Sequence, residues 1–362
     1  MTAKKWIQIN FKMTIAIILI IFCINYIFDV FNIFHSPFLK QQFQTNERFS
    51  KIEYLEENFL EFNSYMFGSS RIGGTKPELV EQYIPKSKFY NFTVASANMY
   101  DHLFHLKYFI KNYNIKHLYL QIDIDNMSSY GRSENDYLRK MHPYVLNQSI
   151  ILFYFKYLSG FFPLNTKGKI ELNYNGTDYE KYNIEQGYWT KKIKEKKIER
   201  NCQKFVDSEP TFQRKAYRTV GLFNINKILS GLEEIKELCL QNNIKLYVFT
   251  TPHHQKMMDS FIVDDYLYFL KEISKITSFY DFSGYNSVTM NNCNYYEISH
   301  YRPKISDMIA ARIFKGTNLT LNPDFGVYVT RYNVDKLLKK RKKWILEYEK
   351  NFNNKKAIKE NK

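Results

Sequence analysis

Apolar and polar positions alternate in five short stretches of the chain, and these predict its core. Ser64 to Gly68 reads as a short buried strand and Phe89 to Ala95 as a second. His117 to Ile124 is a third, in which Leu118, Leu120, Ile122 and Ile124 alternate with polar neighbours. Lys245 to Thr250 gives a fourth, closed by Thr251-Pro252, and Phe279 to Phe282 a fifth that ends at Ser283-Gly284. Between the strands the apolar period becomes helical. Pro77 to Tyr83 predicts a helical turn, and Tyr100 to Tyr113 a helix with Leu103, Tyr108 and Phe109 on one face. Ile225 to Asn243, Phe261 to Ile276 and Ile305 to Phe314 predict three more. Strands separated by helices predict an α/β fold, a parallel sheet of about five strands with helices on both faces.

Two regions depart from this rhythm. From Met127 to about Thr219 the pattern weakens, with a loop at Asn173 to Gly176 and a charged helix at Lys191 to Lys204. That stretch reads as an insertion within a domain covering residues 61–318, not as a second fold. Residues 319–362 read as a basic extension outside that domain, helical from Val334 to Asn351.

The apolar run from Met13 to Phe28 carries no charge; Asp29 interrupts it, and Phe31, Ile33 and Phe34 continue it. A spanning helix needs about 20 mainly apolar residues, so residues 13–34 read as a membrane anchor, the alternative being a buried core helix. No small-residue cleavage site follows, which favours a signal anchor over a removed signal peptide. Lys4, Lys5 and Lys12 precede the run, and no Lys or Arg follows until Lys40. This asymmetry puts residues 1–12 in the cytoplasm and the rest outside, beginning with a connector at 35–60.

Composition alters the picture in two places. The 362 residues include 52 Lys and Arg against 36 Asp and Glu, a net charge of +16. The densest cluster is Lys336, Lys339, Lys340, Arg341, Lys342 and Lys343. No aromatic-interleaved nucleic-acid motif accompanies it, so no nucleic-acid partner is expected. A basic surface beside a membrane suits anionic lipid headgroups or anionic glycans, and a solvated helix face explains the cluster equally well. Four cysteines, widely spaced and without Cys-x-x-Cys, give neither a zinc pattern nor a dense disulfide framework. An exported chain permits one bridge among Cys202, Cys239 and Cys293 and leaves at least one of them unpaired.

The candidate chemistry lies in two motifs about 230 residues apart. Phe67-Gly68-Ser69-Ser70-Arg71 ends the first strand at a glycine and presents a serine. Tyr296-Glu297-Ile298-Ser299-His300-Tyr301 sets a carboxylate three residues before a histidine. A serine hydroxyl needs a base to remove its proton, and the base needs a group to orient it. Ser70, His300 and Glu297 supply those three roles. In an open parallel sheet ligands sit at the carboxyl ends of strands, where Ser70 falls, and a following helix would aim its N-terminus at developing negative charge. His253 and His254 end the fourth strand at the same edge and suit substrate contact. Arg71 suits an anionic substrate group or a structural role, and Asp281 holds a loop.

Taken together, the segments from Ser64 to Phe314 resemble the SGNH (GDSL-like) hydrolase superfamily. The likeness is closest to its membrane-anchored branch, with the D-alanyl transfer protein of teichoic acid pathways and alginate O-acetylation proteins. The resemblance implies a three-layer α/β/α sandwich, with Ser70 as nucleophile and Glu297-x-x-His300 as the terminal block. It aligns Asn91 to Ala97 with the second block, so that Ser96 replaces a glycine whose backbone N–H serves the oxyanion hole. Gln121-Ile122-Asp123 stands where the third block supplies an asparagine. An ionised Asp123 would repel an oxyanion, and Asn98 is a substitute donor. The resemblance further implies a serine esterase or O-acyltransferase acting on a cell-surface glycan or acyl-carrying polymer; no cofactor is expected, and a metal held by His253 and His254 with Glu297 and His300 is disfavoured because adjacent histidines do not point the same way on an extended chain. Its implied partner is a polytopic membrane O-acyltransferase. The competing expectation is a membrane-anchored adaptor that keeps the fold and binds without turnover.

Overall fold

The computed structural model describes residues 1–38, 46–127, 139–160, 181–215, 217–315 and 322–360, without the side chains of 181 and 351–360. The loop expected at Asn173 to Gly176 lies outside the described residues. The chain divides into two compact units, residues 1–57 with 132–179, and residues 58–131 with 180–362. The insertion expected at 127–219 is therefore not one body. Its first part belongs with the N-terminal segment and its second part with the sheet.

In the first unit an apolar helix runs from Ala3 to Phe28, long and apolar enough to cross a membrane. Thr2 caps its start, with Oγ1 accepting the Lys5 N–H at 3.4 Å. The helix ends six residues before the expected limit at Phe34. Asp29 adopts a left-handed backbone, φ 34°, and its carboxylate accepts the N–H groups of Ile33, Phe34 and Ser36 at 2.8, 2.9 and 3.2 Å. A carboxylate that collects three downstream amides folds the chain back and cannot continue a helix. The apolar residues beyond it turn inward, and Ile33 packs in a small core with Phe49, Phe153 and Tyr157. Phe49 comes from helix Glu47–Asn58, the other two from helix Ile150–Ser159.

The second unit is built on a six-stranded sheet that is parallel except at one edge. The strands are β1 (Ser64–Gly68), β2 (Phe89–Thr93), β3 (His117–Gln121), β6 (Lys245–Thr250), β7 (Phe279–Asp281) and β10 (Val327–Val329), in the order β10-β7-β6-β3-β1-β2. Only β10 runs antiparallel, against β7. Outside this sheet, β4 (Lys181–Asn183) pairs with β5 (Tyr188–Thr190), and β8 (Tyr295–Glu297) with β9 (His300–Tyr301). All five expected strands form. The sixth lies in the segment expected outside the domain, so the sheet extends beyond residue 318.

β1 lies between β3 and β2 and is wholly buried, and its side chains alternate as the pleat requires. Tyr65 and Phe67 stack edge-on against Phe109 of helix Met99–Asn112, at 4.8 and 5.3 Å between ring centres. Met66, between them, joins a separate core that includes Ile305 and Ile309 of helix Pro303–Phe314. β1 and β2 pair in register from Ser64 with Phe89 to Gly68 with Thr93, so the turns after them leave the sheet at the same edge.

The basic C-terminal helix Val334–Glu360 is fastened to this unit. Arg341, 2% exposed, donates from Nη2 to Asp281 Oδ2 at 2.7 Å, and Asp281 also accepts Thr250 Oγ1 and the Ser283 N–H at 2.8 and 3.0 Å. Tyr348 stacks on Tyr285 at 4.2 Å. Asp281 thus holds a loop, as its position at a strand end suggests, and also secures this helix. Removing one partner of a buried ion pair strands the other charge, at a cost of about 3–5 kcal/mol. Arg341→Ala should lower unfolding stability by that amount in a urea titration, while Lys343→Ala on the same helix should change it by under about 0.5 kcal/mol.

Candidate active site

Ser70 lies one residue past the buried Ser69 that follows β1, in a run of turns, not at the start of a helix. Gly68 gives the site room: a Cβ would sit 2.5 Å from Gln121 Oε1 and 2.7 Å from Ile72 Cδ1, and both side chains would have to move. The next helix, Glu78–Glu81, has only four residues, so the expected helix N-terminus behind Ser70 is absent. The turns are held by Ile72 N–H to Ser69 O and Gly73 N–H to Ser70 O, both at 3.2 Å.

His300 Nε2 lies 2.8 Å from Ser70 Oγ. The other ring nitrogen, Nδ1, is hydrogen-bonded to Glu297 Oε1, and Glu297 Oε2 accepts the Ser299 N–H at 2.8 Å. Glu297 and His300 are direct partners across the β8–β9 pair. The three-residue spacing thus becomes a tight turn that places the carboxylate beside the ring. Trp189 of β5 stands edge-on to the His300 ring at 5.7 Å. Its backbone N–H reaches Gly73 O at 3.0 Å, so this hairpin is stitched to the turn that carries Ser70.

The electrostatics separate the two titratable partners. Burial alone would raise the Glu297 carboxyl. The hydrogen bond and charge of His300, the Ser299 N–H and the Lys191 ammonium outweigh it and hold the group down at about 2. Burial lowers His300 below its ordinary 6.5, and the Lys191 and Arg71 cations push the same way against Glu297. Lys191, 3% exposed, lies over the rings of Trp189 and Tyr296 at 5.2 and 5.5 Å. A neutral imidazole fixed by an ionised carboxylate is the state a general base requires.

The other predicted site residues divide. Arg71 is buried and committed within the protein. Nη1 donates to Asp125 Oδ1 at 2.9 Å and Asp123 Oδ2 at 3.2 Å, and Nη2 donates to Asp125 Oδ2. Its guanidinium joins strand ends, which leaves the structural reading in place of the anion-binding one. Asp123 does not threaten an oxyanion. Its carboxylate accepts the Thr251 N–H at 2.8 Å, the Thr251 hydroxyl at 2.6 Å, Gln121 Nε2 and Arg71. His254 is buried, with Nδ1 accepting the Lys256 N–H at 3.1 Å and Nε2 2.8 Å from Asn292 Oδ1. Burial pushes it down to about 4, and it serves the local fold instead of substrate. His253 is also buried, with Nε2 3.3 Å from Asp125 Oδ1.

Ser96 is exposed in the turn after β2, with φ of 50°, a backbone that favours glycine. Asn98 is fully buried and caps helix Met99–Asn112, its Oδ1 accepting the Asp101 N–H at 3.1 Å. Its Nδ2 has no hydrogen-bond partner among the described residues.

Asp123, Asp125 and His253 offer ligand atoms within 4.8 Å of one another. The Arg71 guanidinium is bound to both carboxylates, so the cation that this acidic pair needs is supplied by the chain. Thr251, Trp189 and Lys191 escaped the sequence reading as site contributors, and Gln121 was placed in the third block without a role. Gln121, a buried amide closing an apolar strand, is the one that pattern alone could flag. A cleft of about 360 Å³ opens beside Trp189, lined also by Gly74, Lys76, Tyr188, Lys191 and Tyr296.

No protein-family model matches the chain, and no curated protein matches it.

Because Lys191 lowers His300, removing its charge should raise the ring's midpoint. In an NMR titration the His300 ring should protonate below pH 6.5 in the native chain. In Lys191→Gln the midpoint should move upward, toward 6.5. An unchanged midpoint would mean that Lys191 does not act on the ring.

Proposed function

We propose that this chain is a membrane-anchored serine esterase or O-acyltransferase of SGNH type that modifies a cell-envelope polysaccharide outside the cytoplasm. The observation that carries the reading is the hydrogen-bonded line from Ser70 Oγ to His300 Nε2, at 2.8 Å, and from His300 Nδ1 to Glu297. Three further features support it. Helices against opposite faces of β1 fit a three-layer α/β/α sandwich. The left-handed backbone at Ser96 fits a position where the superfamily has glycine. The disulfide Cys202–Cys293 fits an oxidising, exported compartment, and Cys239 stays free and buried.

In this reading Ser70 Oγ attacks the carbonyl carbon of an acyl group while His300 Nε2 takes its proton. Glu297 orients the ring and balances the imidazolium that forms. The tetrahedral oxyanion is met by the Asn98 amide and the Ser96 N–H. Collapse expels the leaving oxygen, which takes the proton from His300 and leaves Ser70 acylated. A glycan hydroxyl, or water, then attacks with His300 again as base, and the serine regains its proton. The cleft beside Trp189, with aromatic faces and lysines, fits a sugar-bearing acceptor, and a polytopic membrane acyltransferase fits as the acyl source. The adaptor reading loses its main support once Asp123 is committed to Arg71, Gln121 and Thr251.

The direct test is covalent labelling by a fluorophosphonate. The native chain should be labelled, and Ser70→Ala and His300→Ala should not. Equal labelling of native chain and Ser70→Ala refutes the nucleophile assignment.

Asn98 gives a second test that separates chemistry from folding. Asn98→Ser keeps a capping oxygen but loses the amide donor. Loss of one oxyanion donor typically costs about 10²–10³ in kcat. Asn98→Ser should show that loss on an aryl acetate, with KM and melting temperature close to native. A normal kcat removes Asn98 from the mechanism.

A further inference from the structure

We propose that helix Ile150–Ser159 is a second membrane element, lying among the acyl chains of the leaflet that holds the C-terminal end of helix Ala3–Phe28. The inference rests on reading the N-terminal helix as a span. It does not depend on the chemistry of Ser70.

The helix reads Ile-Ile-Leu-Phe-Tyr-Phe-Lys-Tyr-Leu-Ser, apolar around its whole circumference with Lys156 as its one charge. Such a helix belongs in a core or in lipid. Among the described residues only one side of it is in a core, with Phe153 and Tyr157 packed against Ile33 and Phe49. The other side presents Ile151, Leu152 and Phe155, 76%, 53% and 55% exposed. These three lie at helical neighbour spacing and form one stripe.

Two observations make lipid the occupant of that stripe. The first is continuity. Phe155 meets Phe22 of the spanning helix edge-on at 5.5 Å, and no residue of that helix is buried in the protein. Whatever surrounds the span at Phe22 therefore also reaches Phe155. The second is the fate of the polar atoms. A helix end leaves backbone carbonyls unsatisfied, and in hydrocarbon every one must find a partner within the protein. Asn25, a polar residue inside the span, donates from Nδ2 to the Leu158 and Gly160 carbonyls at 2.6 and 2.8 Å. Tyr157 donates its hydroxyl to Asp29 Oδ1 at 3.0 Å and receives the Phe31 N–H at 3.2 Å. Asn25, Asp29 and Tyr157 thus pair their polar groups with one another's chain segments, while the outward stripe of Ile151, Leu152 and Phe155 is hydrocarbon alone. Lys156, with its long stem, suits a headgroup position at the edge of such a helix.

The test uses the full chain in phosphatidylcholine vesicles, with the free cysteines removed (Cys23→Ala, Cys239→Ala). An environment-sensitive NBD probe is placed singly at Leu152→Cys, Phe155→Cys, Ile18→Cys in the span, or Leu60→Cys in the sheet unit. Quenching by lipids with a doxyl group on the acyl chain is compared between sites. A helix buried to the acyl boundary should be quenched roughly twofold or more above Leu60→Cys at both 152 and 155. Iodide quenching should fall correspondingly. If Ile18→Cys is quenched while 152 and 155 behave like Leu60→Cys, this inference fails and the anchor stands. If Ile18→Cys is unquenched as well, both fail. A stripe shielded from impermeant maleimide in native membranes, yet unquenched in vesicles, means a protein partner covers it, which also overturns the lipid assignment.

Discussion

One buried carboxylate, Asp123, ties together the strand ends on which the site is built. It is fully buried, and an unpaired charge there would be prohibitively costly. Its two oxygens instead collect four donors from three strand ends. Arg71 and Gln121 come from the ends of β1 and β3, and Thr251 supplies both its N–H and its hydroxyl from the end of β6. Gln121 carries the tie one step further. Its Oε1 accepts the Ser69 N–H at 2.8 Å, which fixes the backbone beside Ser70. The serine is therefore held by hydrogen bonds at the sheet edge, although no helix follows it. Buried networks are most favourable when every member is paired; here each carboxylate oxygen is used, while Arg71 Nε has no partner among the described residues.

Around that scaffold the charges are arranged to oppose proton uptake by His300. Arg71 serves the Asp123 tie and also, at longer range, lowers the ring's affinity for a proton. Lys191 does the same from the Trp189 side and helps keep Glu297 ionised. The sign for folding follows. With the folded value of His300 below 6.5, the unfolded chain takes up the proton first as pH falls, so stability is lost below 6.5. Glu297, held at about 2 against an ordinary 4.5, contributes stability above 4.5 that disappears as pH falls through about 2. The pair resists acid less well because it keeps a base ready at neutral pH.

Much of this architecture was legible in the sequence, for identifiable reasons. The five parallel strands are short apolar runs between turn residues, and burial from both sides makes such runs conspicuous. Ser70, Glu297 and His300 were legible because a glycine-led strand end and a three-residue carboxylate–histidine spacing both survive as local patterns. What was missed depends on contacts distant in sequence. The role of Asp123 is set by Thr251, which lies 128 residues away. Arg71 looked free to bind an anion because its carboxylate partners are 52 and 54 residues on. The end of the N-terminal apolar helix was misjudged because hydropathy counts Phe31, Ile33 and Phe34 alike in a helix or in a turn. Only the backbone at Asp29 tells the two apart.

The same logic bears on whether the site turns over or merely binds. A binding site gains nothing from a histidine kept neutral by two cations and burial, and it loses acid stability by having one. A protonated His300 paired with Glu297 would be the cheaper arrangement for a structural ion pair. Lys191 works against that pair, since its charge lowers His300 while the ammonium itself rests over the Trp189 and Tyr296 rings. Local features that cost stability tend to mark functional sites. The placement of Lys191 therefore supports proton transfer at His300 more than it supports a ligand platform built on an inherited fold.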